Sequence, residues 1–356
     1  MYVCLITNIN SVHTNKIVKY LTSAGHRVAV ISFDNSNHQG MEFYHLKIPS
    51  IIKSRKLKYL YSILLARRLV HKLMPDILFS IYLVGPGILG ALCNYHPYVA
   101  MAIGSDVLLE MDKSLFYRII TKYYFNKIDG FIAVSQGIAD KLIERGIPKT
   151  NIVVNPIGID TTTFNFSDML IAKQRFQIVS TRSLEPVYNI NQFIESLPLL
   201  FRTKKNIDVI IIGTGTQYKN IVTKISNYHI EEQVELLGDV PLAFLVNTLK
   251  NSDIYISMSF SDGAPASLFE AMSCGCFPVV SDIPANREWI KDGINGFLIP
   301  IGDPATLANR IIEALGNPIL LKESKKINRQ IVEEKLEITK LMGNLIQHLK
   351  SYVRKK

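Results

Sequence analysis

Cysteine is scarce in this chain, and none of it is spaced for metal or redox work. Cys4, Cys93, Cys274 and Cys276 sit in apolar surroundings, and the last two form C-G-C rather than C-x-x-C. That argues against a zinc or dithiol motif and reads as four reduced packing residues in a cytosolic protein. A D-x-D triplet is also absent, which removes the simplest way of holding a divalent cation on a diphosphate. An anionic ligand would then be met by backbone N–H groups and basic side chains, with no metal and no resident cofactor. Long apolar runs are missing too. The longest, ILFSIYLVGPGILGAL from Ile77, is broken by Gly85-Pro86-Gly87 and reads as strand, turn and helix rather than a membrane span. The opening MYVCLITN reads as a buried strand with no basic leader, so no cleaved signal peptide is expected.

Acidic residues are missing from one stretch altogether. Between Lys53 and Lys72 stand seven basic residues, Lys53, Arg55, Lys56, Lys58, Arg67, Arg68 and Lys72, interleaved with apolar positions, within a chain of net charge +10. A basic amphipathic helix of this kind can lie on an anionic lipid surface or meet a phosphorylated partner. A solvated helix face is the plain alternative. Nucleic acid is not expected, because no aromatic stacking motif or DNA-reading module accompanies the charge.

What remains is the composition of an ordinary globular protein. At 356 residues the chain exceeds one ordinary core and fits two domains of roughly 150 to 200 residues each. Strand candidates alternate with helical stretches from end to end: YVCLITN, RVAVISF, DILFSIY, YVAMAI and GFIAVS, then QIVST, DVIIIG, VELLG, DIYISMS, FPVV and GFLIP. This spacing predicts an α/β protein of two Rossmann-like, doubly wound parallel sheets with ligands in a central cleft between them. The turn-rich stretch IVVNPIGIDTTTFNFSD places the linker near Phe164 to Asp168. The expected domains are 1–166 and 167–334, with a closing helix over about 335–356 folding back on the first.

Several loops at strand ends carry chemistry. SDGAPASLFE, from Ser261 to Glu270, follows DIYISMS, and Pro265 suits the first turn of a helix that Gly275 can end. A helix entered this way aims free N–H groups and a partial positive charge at an anion. Asp262 and Glu270, eight residues apart, could grip opposite ends of one extended ligand; the plain alternatives are a cap and an ion pair. Arg182 follows QIVST and is the best-placed cation, its alternative being a surface ion pair. Gly213-Thr214-Gly215 is a fragment of a dinucleotide fingerprint that lacks the third glycine and a well-placed acidic residue ending the next strand, so by itself it is a tight turn. His13, Asp106 and Ser135 stand at strand ends of the first half, His13 being equally a capping or packing residue.

These residues together resemble the retaining nucleotide-sugar glycosyltransferases of family 4, which have the GT-B fold. The resemblance covers nearly the whole chain and is most specific in SFSDGAPASLFEAMSCGCFPVVSDIPANREWIKDGINGFLIPIGD, supported by VIIIGTGT, IAVSQGIADKLIERGI, VVNPIGIDTTTF, AMAIGSD and AGHRVAVIS. It implies that Glu270 holds the ribose hydroxyls and Asp262 the transferred sugar. It further implies that Gly263, Ala264 and Pro265 line the sugar pocket, and that amides near Ser267 and Leu268 meet the diphosphate beside Arg182, with Gly213, Thr214, Gly215 and Tyr188 completing the donor site. The chain departs from the family pattern in having Asp262 for a usual Glu, Tyr188 for a usual Lys, no glycine pair in TNINSVH, and Ile103 for a usual His.

The expected activity is metal-independent transfer of a sugar, from UDP in preference to GDP, to a glycan or lipid-linked hydroxyl with retained configuration. Such a protein would serve cell-surface polysaccharide or glycolipid assembly. His13, Asp106 and Ser135 would face the acceptor, and the basic segment would bring a cytoplasmic protein to the inner face of the plasma membrane. A nucleotide-sugar 2-epimerase of the same architecture and a non-catalytic nucleotide-binding subunit are the competing readings.

Overall fold

The computed structural model describes residues 1–35, 41–111, 121–166 and 175–353, with the side chains of residues 55, 56, 58, 59 and 110 outside that description. The chain divides into two compact units, one formed by Met1–Ile157 with the residues from Thr339 onward, the other by Gly158–Ile338.

Unit 1 is built on a parallel sheet of seven strands: β1 (Tyr2–Ile6), β2 (Arg27–Ser32), β3 (Glu42–His45), β4 (Ile77–Ile81), β5 (Tyr98–Ala102), β6 (Gly130–Ala133) and β7 (Ile152–Val154), in the order β3-β2-β1-β4-β5-β6-β7. Its inner strands are continuous apolar runs because both faces are covered. The two edge strands are the ones that the apolar pattern does not announce. EFYH and IVV are only partly buried, so they lack the run that marks β1, β4 and β5. The closing helix Ile338–Val353 seats here: Asn155 Nδ2 donates to the Leu341 carbonyl at 3.2 Å, and a Cβ on Gly130 would stand 2.0 Å from the Tyr352 hydroxyl.

Unit 2 carries a parallel sheet of six strands: β8 (Phe176–Ser180), β9 (Ile207–Ile212), β10 (Val234–Gly238), β11 (Ile254–Ser257), β12 (Phe277–Ser281) and β13 (Phe297–Ile299), in the order β10-β9-β8-β11-β12-β13. Alternate residues feed two cores. Ile178, Ile254, Ile256 and Val279 join one with Phe193 and Leu307; Val179, Tyr255 and Val280 join the other with Leu268 and Met272. Tyr255 therefore points toward the helix Ala266–Ser273.

The division falls at Ile157/Gly158, earlier than the expected linker near Phe164 to Asp168, whose last residues lie outside the described ones. The segment after Gly158 is stitched to unit 2. Ile159 N donates to Leu336 O at 2.9 Å and Ile338 N to Ile159 O at 3.0 Å, while Arg329 donates to the carbonyls of Phe164 at 2.8 Å and Thr161 at 3.1 Å. A turn-rich composition marks irregular backbone but not which body it is bonded to.

Candidate functional site

In unit 2 the strand order reverses between β8 and β11, which are neighbours in the sheet. The connections leaving two such strands run to opposite faces and open a crevice at their carboxyl ends. Arg182 stands two residues after β8, and Asp262 leads from β11 into the Ala266 helix. The reversal is what brings them together across 80 residues of sequence.

Arg182 is almost buried, and each part of its guanidinium is held differently. Nη2 donates to Asp262 Oδ2 at 2.6 Å and Nη1 to Ser267 Oγ at 2.8 Å, while the flat face lies over the Tyr188 ring, 4.1 Å from Cζ to the centroid. Among the described residues Nε has no partner, and neither have the buried hydroxyls of Ser180 and Thr181 just before it. Burial disfavours the charged guanidinium, but Asp262 and the two nearby tyrosines, Tyr255 and Tyr188, outweigh it and hold Arg182 above its ordinary pKa. The alternative of a surface ion pair does not describe this group.

Tyr188 owes its place to a tethered turn. Pro186–Tyr188 form a short 3₁₀ turn closed by Asn189 in the left-handed region, and Phe260 N donates to Val187 O at 2.9 Å. Just before it, Glu185 accepts from Thr216 N at 2.9 Å and from its hydroxyl at 2.6 Å.

The glycines of Gly213-Thr214-Gly215 have a local reason. A Cβ on Gly213, whose φ is +139°, would stand 2.6 Å from the Arg182 carbonyl oxygen, and one on Gly215 would stand 2.5 Å from the Leu184 carbonyl. Leu184 N donates to Thr214 O at 2.8 Å. The turn is thus a backbone support for the Arg182 loop. An acidic residue does follow the next strand: Asp239, directly after β10, accepts from Thr214 Oγ1 at 3.2 Å. The expectation that none is well placed there is corrected.

The helix runs Ala266–Ser273, so Pro265 is its N-cap rather than its first helical residue. Both Leu268 N and Phe269 N donate to Pro265 O, at 3.0 and 3.2 Å. The amides of Ala266 and Ser267 stand in the first turn, ahead of any intrahelical carbonyl. Leu268, expected to turn its amide to an anion, has already used it. Gly263 is buried, Ala264 half-buried, and the Asp262 side chain accepts from Gly263 N at 3.1 Å rather than capping the helix. Ser267 and Glu270 are three residues apart in the helix and so share a face. Gly275, at φ +85°, follows the helix end as expected.

Sequence reasoning missed Tyr255. Its hydroxyl donates to Ser267 Oγ at 2.8 Å from a fully buried ring, and burial, countered in part by Arg182 and Ser267, pushes its pKa up. The available signal was a lone tyrosine in the strand IYIS, whose alternation turns it toward the Ala266 helix.

In unit 1 the three acceptor-side candidates lie after different strands. Asp106 is buried and accepts from the amides of Leu83 at 2.7 Å, Gly104 at 2.8 Å and Ile103 at 3.2 Å, so it ties two loops together. Burial raises its pKa against those amides. Ser135 is the N-cap of the helix Gln136–Glu144 and accepts from Ile138 N at 3.4 Å. His13 is in the first turn of the helix Val12–Ser23, with Nδ1 buried and without a partner among the described residues; burial, then Lys16, lowers its pKa to about 4. Among the described residues no cluster of three or more His, Cys, Asp or Glu is arranged to hold a metal ion. No described helix is long and apolar enough to cross a membrane.

Comparison with known proteins adds to this geometry. Residues 162–331 match the family described as glycosyl transferases group 1, and residues 2–135 that described as glycosyl transferase 4-like. The amylovoran biosynthesis glycosyltransferase AmsK of Erwinia amylovora is 27% identical over 274 residues, 70% of this chain and 66% of that protein. A UDP-Gal:alpha-D-GlcNAc-diphosphoundecaprenol alpha-1,3-galactosyltransferase of Escherichia coli is 26% identical over 196 residues, 51% of this chain and 49% of that protein. The match thus spans from about half to two thirds of the length of these relatives. In fold, the chain resembles Anabaena Alr3699/HepE, crystallised with UDP and glucose, at a TM-score of 0.83 with 17% identity, covering 99% of this chain and 100% of that one.

Proposed function

The chain belongs to glycosyltransferase family 4, with the GT-B fold, and on that premise we propose that it moves a sugar from a UDP-linked donor to a hydroxyl of a glycan or lipid-linked acceptor. The observation that carries the donor half is the convergence of Arg182 and Ser267 at the first turn of the Ala266 helix, with Glu270 on the same helix face. The diphosphate lies at that turn, Glu270 holds the ribose, and Asp262 with Gly263, Ala264 and Pro265 receives the sugar. Names of the relatives, both of them transferases, favour transfer over epimerisation.

In the reaction the bond from the sugar's anomeric carbon to the phosphate oxygen breaks, and a bond from that carbon to the acceptor oxygen forms on the same face. The acceptor proton passes to the leaving phosphate. Negative charge grows on the diphosphate as the bond breaks, so Arg182 and the helix N-terminus stabilise the transition state more than the ground state. No metal is needed for that step, and unit 1 carries the acceptor. Asp106 and Ser135 act there by shaping loops, since their oxygens are engaged with backbone amides.

The basic helix favours a lipid-borne acceptor. In Arg55–Leu73, the side chains of Leu57, Leu60 and Leu64 are 58, 55 and 61% exposed at a spacing that puts them in one row, and Arg67, Arg68 and Lys72 are exposed beyond them. Apolar side chains flanked by cations suit the boundary of an anionic bilayer. Of Arg55, Lys56 and Lys58, the side chains lie outside the described residues.

A thermal-shift screen of nucleotide sugars against the wild type and Glu270→Ala tests the donor reading. A bound donor raises apparent stability by mass action, and the shift should be lost in the variant. An equal shift in both contradicts the ribose contact, and UDP that is never released with any acceptor contradicts transfer.

A further inference from the structure

Ser267 receives two hydrogen bonds. Arg182 Nη1 and the Tyr255 hydroxyl both donate to its Oγ, each at 2.8 Å. A serine oxygen has two lone pairs and one proton. With both lone pairs taken, the proton must point away from Arg182 and Tyr255, into the remaining tetrahedral direction. Ser267 is half-buried in the first turn of its helix, where a serine can be both shielded and reached.

The partner on the far side is unusually well fixed. Tyr255 is fully buried in β11, an inner strand paired with β8 and β12, so the ring that carries its hydroxyl to Ser267 is held by strands on both sides. Tyr255, Ser267 and Arg182 thus form one hydrogen-bonded group at the helix N-terminus. Buried hydroxyl networks of this kind hold their members in one arrangement.

We propose that the Ser267 hydroxyl is an oriented hydrogen-bond donor to the diphosphate, and that Tyr255 is the positioning residue that orients it. This rests on the donor reading above and assigns a role to a side chain that never reaches the ligand. Without the Tyr255 hydroxyl, Ser267 regains a free lone pair and its proton can turn elsewhere.

The test is calorimetric titration of UDP and uridine, with GDP and ADP as alternative diphosphates, into wild type, Tyr255→Phe, Ser267→Ala and the double variant. Because a hydrogen bond to a charged group is worth more than a neutral one, Ser267→Ala should weaken UDP binding about tenfold and leave uridine unchanged. Tyr255→Phe should weaken UDP about three- to tenfold, again sparing uridine, and the double variant should fall within about twofold of Ser267→Ala alone. Additive losses, or wild-type UDP affinity in Tyr255→Phe, overturn the positioning role while leaving the donor site standing. Wild-type UDP affinity in Ser267→Ala overturns the donor role of the hydroxyl. If the wild type binds none of the three diphosphates, the donor reading itself fails. Should Tyr255→Phe not keep a native melting transition, Ser267→Ala with Ser267→Thr decides: threonine restores the hydroxyl and should recover UDP affinity, and failure to recover it counts against the proposal.

Discussion

Arg182 and Asp262 form a nearly buried ion pair, Nη2 to Oδ2 2.6 Å, with side-chain exposures of 8% and 15%. The cation proposed to meet the diphosphate is thus neutralised, in the chain alone, by the carboxylate proposed to meet the sugar. On the proposed reading, a diphosphate entering the site would compete with Asp262 for the guanidinium and free the carboxylate for sugar hydroxyls.

Replacing Asp262 with asparagine leaves that guanidinium without its counter-charge. The cost should be on the order of 2–3 kcal/mol, at or below the lower end for a broken buried pair because some solvent contact remains. UDP would supply the missing anion, so it should stabilise Asp262→Asn more than the wild type. Thermal unfolding of both proteins with and without UDP checks this; equal shifts would mean that the diphosphate does not compete for Arg182.

Gly213 supports the same loop from beneath. A Cβ there would meet the Arg182 carbonyl oxygen at 2.6 Å on a backbone with φ +139°, so Gly213→Ala should lose about 2 kcal/mol or more of stability and displace Arg182. Gly293 serves as the control, since its φ is +75° but nothing lies within 4 Å of the added atom. Gly293→Ala should cost stability through backbone strain alone and leave UDP affinity unchanged, whereas Gly213→Ala should weaken UDP binding in the same titration.

His13 sets a pH dependence for unit 1. Its pKa falls from the usual 6.5 to about 4 on folding, so between those values the unfolded chain binds more protons than the folded one. Stability from this group is complete above 6.5, declines as the pH drops, and is fully lost below about 4. His13→Gln should flatten the decline between pH 6.5 and 4 in urea unfolding curves. An unaltered slope would show that the imbalance lies in another group.

The exposed leucines and cations of the helix Arg55–Leu73 should act together on a membrane. Changing Lys53, Arg67, Arg68 and Lys72 to glutamine should lower sedimentation with vesicles containing phosphatidylserine and reduce its salt sensitivity. Changing Leu57, Leu60 and Leu64 to serine should lower it further at high salt. Unchanged binding in both sets removes the membrane from the account.

Much of this was legible from local pattern, and what was not depended on contacts distant in sequence. The inner strands are continuous apolar runs because helices cover both faces, whereas β3 and β7, at the two edges of their sheet, are too weakly buried to stand out. The strand, turn and helix that carry the stretch from Asp262 to Glu270 were legible because they are contiguous in sequence. The pairing of Arg182 with Asp262 was not, because it follows from β8 lying beside β11, and other orders of the same strands fit the same pattern. Asp106 looked like a ligand-facing carboxylate at a strand end; its backbone partners come partly from another loop, at Leu83, that local sequence does not connect to it.

The most direct measurement is a crystal structure of the chain with UDP. The account predicts the diphosphate against the first turn of the helix Ala266–Ser273, within hydrogen-bonding distance of Ser267 and Arg182, with the ribose beside Glu270 and Asp262 moved off the guanidinium. A nucleotide bound away from that helix, or bound there with the Arg182–Asp262 pair intact and no contact to Ser267, would contradict it.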